Sequence, residues 1–519
     1  MTTTTTRRRP RMLAAVALVT AAALALSACA GSNDDGDGGS GSGEPVAGGI
    51  LRSGVVDPGA ELDPLTVASP GGTMVVDTVA ERLVRVDADH QATPALATAW
   101  SVSDDNLTWT VDIRRGVTFN DGTPLTPADV VATYDRILAP DSTSPAQGSF
   151  AGILTSVEAD GDAVDFTLAK PFSDFPFLLA TNNTQILPAD YEPGTWQDSF
   201  VGTGPFTVKS YQAGQGITFV KNPTYWNAEE IYLDGITTNF YKDQQARVLA
   251  LQSGEIDGLY GEPVAANLTS ALDASQYTVD STAPSGFYAF TLRVDHAPFT
   301  DVKVRQAIAW ALDRKAIIAS VYGDEGEVGN DTIYGPAFTT RPSGLDQREA
   351  SADEVERLLG DQKISFTITT SSTDESQALL IQQQLKKYPN FEVTVDSQSG
   401  DQYFSEGDSS PWLTADATLT YWASRPSPSQ FYDFIYRTDA IWNASHYSSP
   451  EADRLSDEYD ATVDPDRRQT IVDELGAIQH DDVPVIVTSY GNTRRYLSKK
   501  LHLPVSPDVV DYTGAWLDQ

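Results

Sequence analysis

The chain has 519 residues, 72 Asp+Glu against 35 Lys+Arg, a formal net charge of −37 and a single cysteine. At roughly 100–200 residues per domain this length needs more than one core, and 40% hydrophobic residues can fill several, which excludes wholesale disorder. The acidity excludes nucleic acid as a partner, and one cysteine excludes an intrachain disulfide and any CxxC metal or redox site.

Arg7, Arg8, Arg9 and Arg11 precede an apolar run over 12–26. A membrane span needs ~20 such residues, so this shorter run reads as the hydrophobic region of a signal peptide, residues 1–28. Leu26-Ser27-Ala28-Cys29 then resembles a bacterial lipobox, which makes Cys29 the lipidation site and the membrane anchor. Residues 30–45 hold six glycines, three serines and four acids. They lack the spaced ligands of a calcium loop, and 29–47 reads as a lipidated flexible tether. Removing 1–28, with its four arginines and no acid, takes the charge from −37 to −41.

The folded part mixes helical and strand periodicities. Leu107–Ile113 alternates as a strand, and Thr126 caps a helix with Pro127 in its first turn. Val302–Tyr322 carries apolar residues at Val304, Ala307, Ile308, Ala311 and Leu312, which predicts one helix capped by Asp301. Residues 364–370, 374–388 and 391–396 read as a β-α-β unit with Gln382, Gln383 and Gln384 on or beside its solvent side. A helix over 466–480 and a strand over 483–487 follow. The alternation predicts an α/β fold.

Catalytic and metal motifs are missing. His90, His296, His446, His480 and His502 have no metal-ligand spacing, and neither HExxH nor GxSxG occurs. Gly202-Thr203-Gly204-Pro205 lacks the lysine of a phosphate loop. No catalytic residue, metal site or cofactor is assigned, and the chain reads as a non-enzyme. Aromatics are more informative: Tyr403, Phe404, Trp412, Tyr421, Trp422, Phe431, Tyr432, Phe434, Tyr436 and Trp442 crowd one stretch. Core packing accounts for most. Trp422, however, enters a Pro/Ser loop carrying Arg425, a composition suited to a cleft wall with a guanidinium clamp for carboxylate.

Five segments together resemble the family 5 (peptide/nickel-type) extracytoplasmic solute-binding proteins of bacterial ABC importers. They are Gly48–Arg52 with Leu62–Leu65, Pro94–Asp105 continuing into Trp109–Gly122, Gly202–Phe206 with Asn222–Trp226, Pro298–Ile308 with Asp313-Arg314, and Asn443, Tyr447, Pro450 and Asp453 ahead of Pro484. The resemblance implies a two-lobe periplasmic-binding-protein type II (cluster C) fold with a subdomain inserted in lobe I. Lobe I would comprise 48–85, 202–287 and 488–519, the insert 86–201, and lobe II 288–487. The chain would cross between lobes near Phe287–Leu292 and Ile486–Ser489.

The same resemblance implies an interlobe site. Its ligand-binding residues would be Ser69, in the loop Ala68–Gly71, with Phe287, Tyr288, Tyr403, Tyr421, Trp422 and Arg425. Peptide-binding members place an aspartate three residues after the tryptophan, to hold the peptide's ammonium; here that position is Arg425. The implied function is capture of a small peptide or peptide-like solute by a monomer and its delivery to an ABC permease and its ATPase, on the outer face of the cell membrane. The alternatives are a non-peptide solute on the same fold (an anionic small molecule, an oligosaccharide or a nickel chelate) and a sensor or chaperone role.

Overall fold

The computed structural model describes residues 44–518 except 60, 61, 263, 265, 283, 284, 323–325, 406, 408, 409, 426, 508 and 509. The signal peptide, Cys29 and the tether up to residue 43 lie outside the described residues. No helix among the described residues is long and apolar enough to cross a membrane.

A six-stranded sheet runs in the order Gly326–Val328, Val485–Gly491, Phe287–Leu292, Ala417–Trp422, Ile364–Ser371, Phe391–Gln398. Side chains alternate across it, because successive residues of a strand point to opposite faces. Phe290, Leu292, Leu419 and Ile486 enter one core with Phe299, Val304 and Ile308. Phe287, Ala289, Trp422, Val485 and Val487 enter another with Phe431 and Tyr432. Each such buried side chain contributes about 2 kcal/mol. The β-α-β unit is present: Ile364–Ser371 and Phe391–Gln398 are parallel neighbours joined by helix Glu375–Leu385.

Two expectations are corrected here. The single helix over Val302–Tyr322 is two helices, Val302–Ala311 and Arg314–Tyr322. Leu312 turns extended, and the Asp313 carboxylate accepts from Ala316 N (3.0 Å), starting the second helix. The break is fixed by Gln384, whose amide accepts from Asp313 N (2.8 Å) and donates to Asp313 O (3.0 Å). Gln384 is therefore buried, not solvent-facing; Gln382 is half-buried and donates to Val393 O (2.9 Å), and Gln383 alone of the three is exposed.

Three further sheets have three or more strands. One is four-stranded: Ile50–Val56, Gly235–Tyr241, Gly216–Lys221, Phe206–Gln212. Another is the antiparallel sheet Ala97–Val102, Thr108–Ile113, Ala163–Leu168, Leu154–Asp160. Helix Pro127–Leu138 packs on it, its start closed by Asp129 accepting from Thr126 N (2.7 Å). Leu51, Val55, Val79, Trp109, Phe166 and Phe206 share one core beneath these two sheets. The third is three-stranded: Gly258–Leu259, Thr493–Ser498, Tyr277–Thr282.

Tyr277–Thr282 and Thr493–Ser498 pair with each other, and so do their continuations Phe287–Leu292 and Val485–Gly491 in the six-stranded sheet. The chain thus crosses between the sheets twice, side by side. Glycine is required in this crossing by close approach: a Cβ on Gly286 would sit 2.7 Å from Trp422 O, and one on Gly491 would sit 2.1 Å from the Tyr322 ring.

A second bridge is electrostatic. The loop after Ala163–Leu168 carries Asp174, a buried carboxylate that pairs with Arg468 and accepts from Ser427 Oγ (2.5 Å) and Tyr459 OH (3.3 Å). Arg468 also donates to Ser173 Oγ (2.7 Å) and stacks 4.0 Å over the Tyr459 ring. Ser173 N donates to Asp460 O (2.7 Å), and Lys170 lies 3.1 Å from Asp433 and 3.8 Å from Asp460. Removing one partner of a buried pair strands the other charge at about 3–5 kcal/mol, so Arg468→Met is expected to lose about 3 kcal/mol in urea denaturation.

Burial, aided by Asp433 and opposed by Lys170, pushes the Asp460 carboxyl up to about 7. A carboxyl raised on folding stabilises the fold fully below its unfolded pKa, and that stability is lost as pH rises through about 7. Asp460→Asn should therefore melt with the parent protein near pH 4 and above it at pH 8, as read by calorimetry at both values.

Candidate functional site

The strand Ala417–Trp422 is bound along its length to Phe287–Leu292, with Trp422 opposite Phe287 and Tyr421 opposite Tyr288. Past Trp422 the chain leaves the sheet until Ser427 caps helix Pro428–Ile435, its Oγ accepting from Ser429 N (3.2 Å). One residue pins the intervening loop: the buried Ser285 accepts from Arg425 N (2.7 Å) and donates to Arg425 O (2.6 Å).

A cavity of about 470 Å³ opens at this strand end, walled by Phe404, Trp412, Tyr421, Trp422, Trp442 and Arg425. The three indoles are mutual neighbours, with ring centroids 6.2 Å (Trp412–Trp422), 6.3 Å (Trp412–Trp442) and 5.9 Å (Trp422–Trp442) apart. Phe434 backs Trp442 at 4.7 Å. A second cavity of about 270 Å³ is walled by Asp174, Phe177, Phe338, Tyr459, Arg468 and, again, Arg425. It lies beside the Asp174–Arg468 bridge. Arg425 borders both cavities.

Arg425 is half-buried. Its Nη1 donates to Ala423 O (3.3 Å) and Ser424 O (3.1 Å), and the guanidinium sits 5.7 Å from the Phe434 ring. Among the described residues no carboxylate pairs with it. Burial alone depresses its pKa, and no acid opposes the shift. Several sheltered arginines do meet carboxylates: Arg247 meets Glu262, Arg314 and Arg348 share Asp331, and Arg468 meets Asp174. Arg305, Arg114 and Arg136 donate to backbone carbonyls, as Arg425 does.

Of the residues expected from sequence, the structure gathers Tyr421, Trp422 and Arg425 at one cavity. Tyr403 is fully buried behind that wall, not on it: its hydroxyl lies 2.8 Å from Thr420 Oγ1 and donates to Leu419 O (3.1 Å), while its neighbour Phe404 faces the cavity. Phe287 is likewise a core residue, its ring 4.9 Å from Phe431. Tyr288 supports Tyr421 at 5.1 Å and donates to Asp374 (3.0 Å). Ser69 lies elsewhere: it caps helix Pro70–Val79 by accepting from Gly72 N (3.2 Å), beside a separate cavity of about 130 Å³ bordered by Ala68, Pro70, Met74 and Asp77.

Trp412, Trp442 and Phe404 are the wall residues that sequence reasoning left among core aromatics. They share the cavity with Ile441, an apolar residue with 74% of its surface in solvent; no sequence signal separates them from the core aromatics. No group of three or more His, Cys, Asp or Glu among the described residues is placed to hold a metal ion.

The family model for bacterial extracellular solute-binding proteins, family 5 Middle, matches residues 91–443. The dipeptide-binding protein DppE of Bacillus subtilis (strain 168) is 25% identical over 458 residues, covering 80% of this chain and 82% of that protein. The oligopeptide-binding protein AppA of the same organism is 28% identical over 460 residues, covering 82% and 83%. Among solved structures, the periplasmic murein tripeptide-binding protein MppA in its unliganded open form superposes with a TM-score of 0.79 at 20% identity, over 91% of this chain and 98% of that one. That likeness carries the fold: α/β, two lobes of the periplasmic-binding-protein type II (cluster C) kind with a subdomain inserted in the first. The chain belongs to the bacterial extracellular solute-binding proteins, family 5.

Proposed function

We propose that this protein is the capture component of an ABC importer, taking up a peptide or peptide-like solute between its lobes and delivering it to a permease and its ATPase. The observation that carries the proposal is the aromatic cavity at the end of Ala417–Trp422, a strand paired with the crossing strand Phe287–Leu292, and bordered by an arginine that pairs with no carboxylate among the described residues. Ligand sites are concave, mostly apolar and furnished with few polar groups. In the lobe division proposed here, 48–85, 202–287 and 488–519 form lobe I with 86–201 inserted, and 288–487 form lobe II. Hinge closure at the paired crossings would enclose the solute, a motion open to two bodies joined by two short strands. The names of DppE and AppA support a peptide as the solute. Among the proposed ligand contacts, Tyr421, Trp422 and Arg425 act from lobe II; Ser69, beside its own separate cavity, is not on this wall. The working molecule is a monomer.

Trp422→Ala is expected to weaken solute affinity about tenfold or more, since buried aromatic anchors dominate such interfaces, while the variant still unfolds cooperatively. Isothermal titration against a panel of di- to nonapeptides measures it, and unchanged binding would exclude this wall as the site.

Anchoring belongs to the same proposal. Cys29 is the one thiol available for diacylglycerol, and stable membrane attachment needs more than one acyl chain. Cys29→Ala should move the protein from the membrane fraction to the medium, and mass spectrometry of the parent's N-terminal peptide should show the lipid mass.

A further inference from the structure

We infer that the solute carries a carboxylate directly beside its bulkiest apolar or aromatic group, with Arg425 gripping the carboxylate and the Trp412–Trp422–Trp442 wall covering the apolar group. This deepens, and rests on, the reading of the cavity as the solute site.

The charge observation comes first. The chain holds 72 acids against 35 bases, yet Arg425 is the one charged side chain among the described residues lining the larger cavity. A sheltered guanidinium without an anion is held at a desolvation cost that a bound carboxylate would offset. Only Nη1 of Arg425 is engaged, by two carbonyls; Nε and Nη2 donate to nothing among the described residues. Those two groups form a side-on fork of the geometry that binds a carboxylate through both oxygens. The backbone that carries the fork is held independently of its charge, because Ser285 bonds both Arg425 N and Arg425 O.

The apolar observation is separate. Phe404 (48% exposed), Tyr421 (43%) and Ile441 (74%) are three of the large hydrophobic residues left open to solvent, and all three rim this cavity. Clustered exposed apolar surface around a concavity marks a surface that something covers. The three indoles beneath them are rigid and offer much apolar area with little conformational entropy to lose. A solute anchored by its carboxylate at Arg425 would lay its neighbouring side group on this surface. An ammonium at the same place would meet the guanidinium at short range, so a free amino terminus is excluded there.

Five probes test this by titration calorimetry, with quenching of indole fluorescence as a second readout. They are N-acetyl-Gly-Phe, its C-terminal amide, Gly-Phe amide, N-acetyl-Gly-Gly and 3-phenylpropionate. N-acetyl-Gly-Phe should bind most tightly. Amidation should weaken it about tenfold or more, as expected for loss of a charge-assisted pair, and replacing Phe by Gly should do the same. Gly-Phe amide should be the weakest. Arg425→Gln should abolish the preference for acid over amide at an unchanged melting temperature.

Acid and amide binding within about twofold in the parent protein, or a preference that survives in Arg425→Gln, overturns the inference while leaving peptide capture standing. Binding of 3-phenylpropionate alone, lost in Arg425→Gln, supports the inference and removes the peptide. No binding of any probe at millimolar concentration overturns both.

Discussion

The paired crossing of Phe287–Leu292 and Val485–Gly491 is the constraint on which the rest of the molecule depends. Phe287–Leu292 pairs on one edge with Val485–Gly491, which continues into the three-stranded sheet, and on the other with Ala417–Trp422, which ends at the cavity. A one-residue slip in a strand pair exchanges its two faces. Here such a slip would drive Phe287 out of one core and Phe290 out of the other. The register that fills both cores therefore also sets Trp422 and Tyr421 at the cavity mouth. The cavity and the double crossing are thus tied to one hydrogen-bonded ladder.

Charge is distributed by the same economy. Several arginines that enter low dielectric meet carboxylates, as Arg314 and Arg348 do across Asp331, because an unpaired buried charge is costly. Arg425, like Arg114 and Arg136, has carbonyls and an aromatic ring for partners instead; what sets it apart is its place on the wall of the larger cavity. The Asp174–Arg468 bridge follows the pattern but sits between bodies, where its energy depends on how those bodies are placed.

Much of the fold was legible from local chemistry. The strand at Thr108–Ile113, the capped start of Pro127–Leu138 and the β-α-β unit were carried by period-2 and period-3.6 patterns and by capping residues. The break at Leu312–Asp313 was not, because its cause is Gln384, seventy-one residues away. Gly202–Pro205 packs against a helix end, where Gly204 N donates to Val79 O (2.7 Å). At the site, Tyr421, Trp422 and Arg425 are consecutive enough for loop composition to point to them. Tyr403 and Phe404 show the limit: adjacent aromatics on one short helix, one fully buried and one facing the cavity. No one-dimensional pattern separates them, since the difference is set by Thr420 on a strand that arrives later in the chain.

A solute shifts a two-lobe protein only by the difference in its affinity for the two arrangements. The larger cavity is built from 404–442 alone, all within the proposed second lobe, so a solute resting only there would favour neither arrangement. The smaller cavity is different: Asp174 and Phe177 come from the inserted subdomain, while Phe338, Tyr459, Arg468 and Arg425 come from the body of the six-stranded sheet. A ligand gains leverage over closure only by reaching past Arg425 into that second space. The guanidinium is thus the point where binding energy from one lobe can become energy between lobes. Among the described residues no carboxylate pairs with it, which leaves that position to the proposed solute, whereas a permanent ion pair there would have fixed the charge and severed the link.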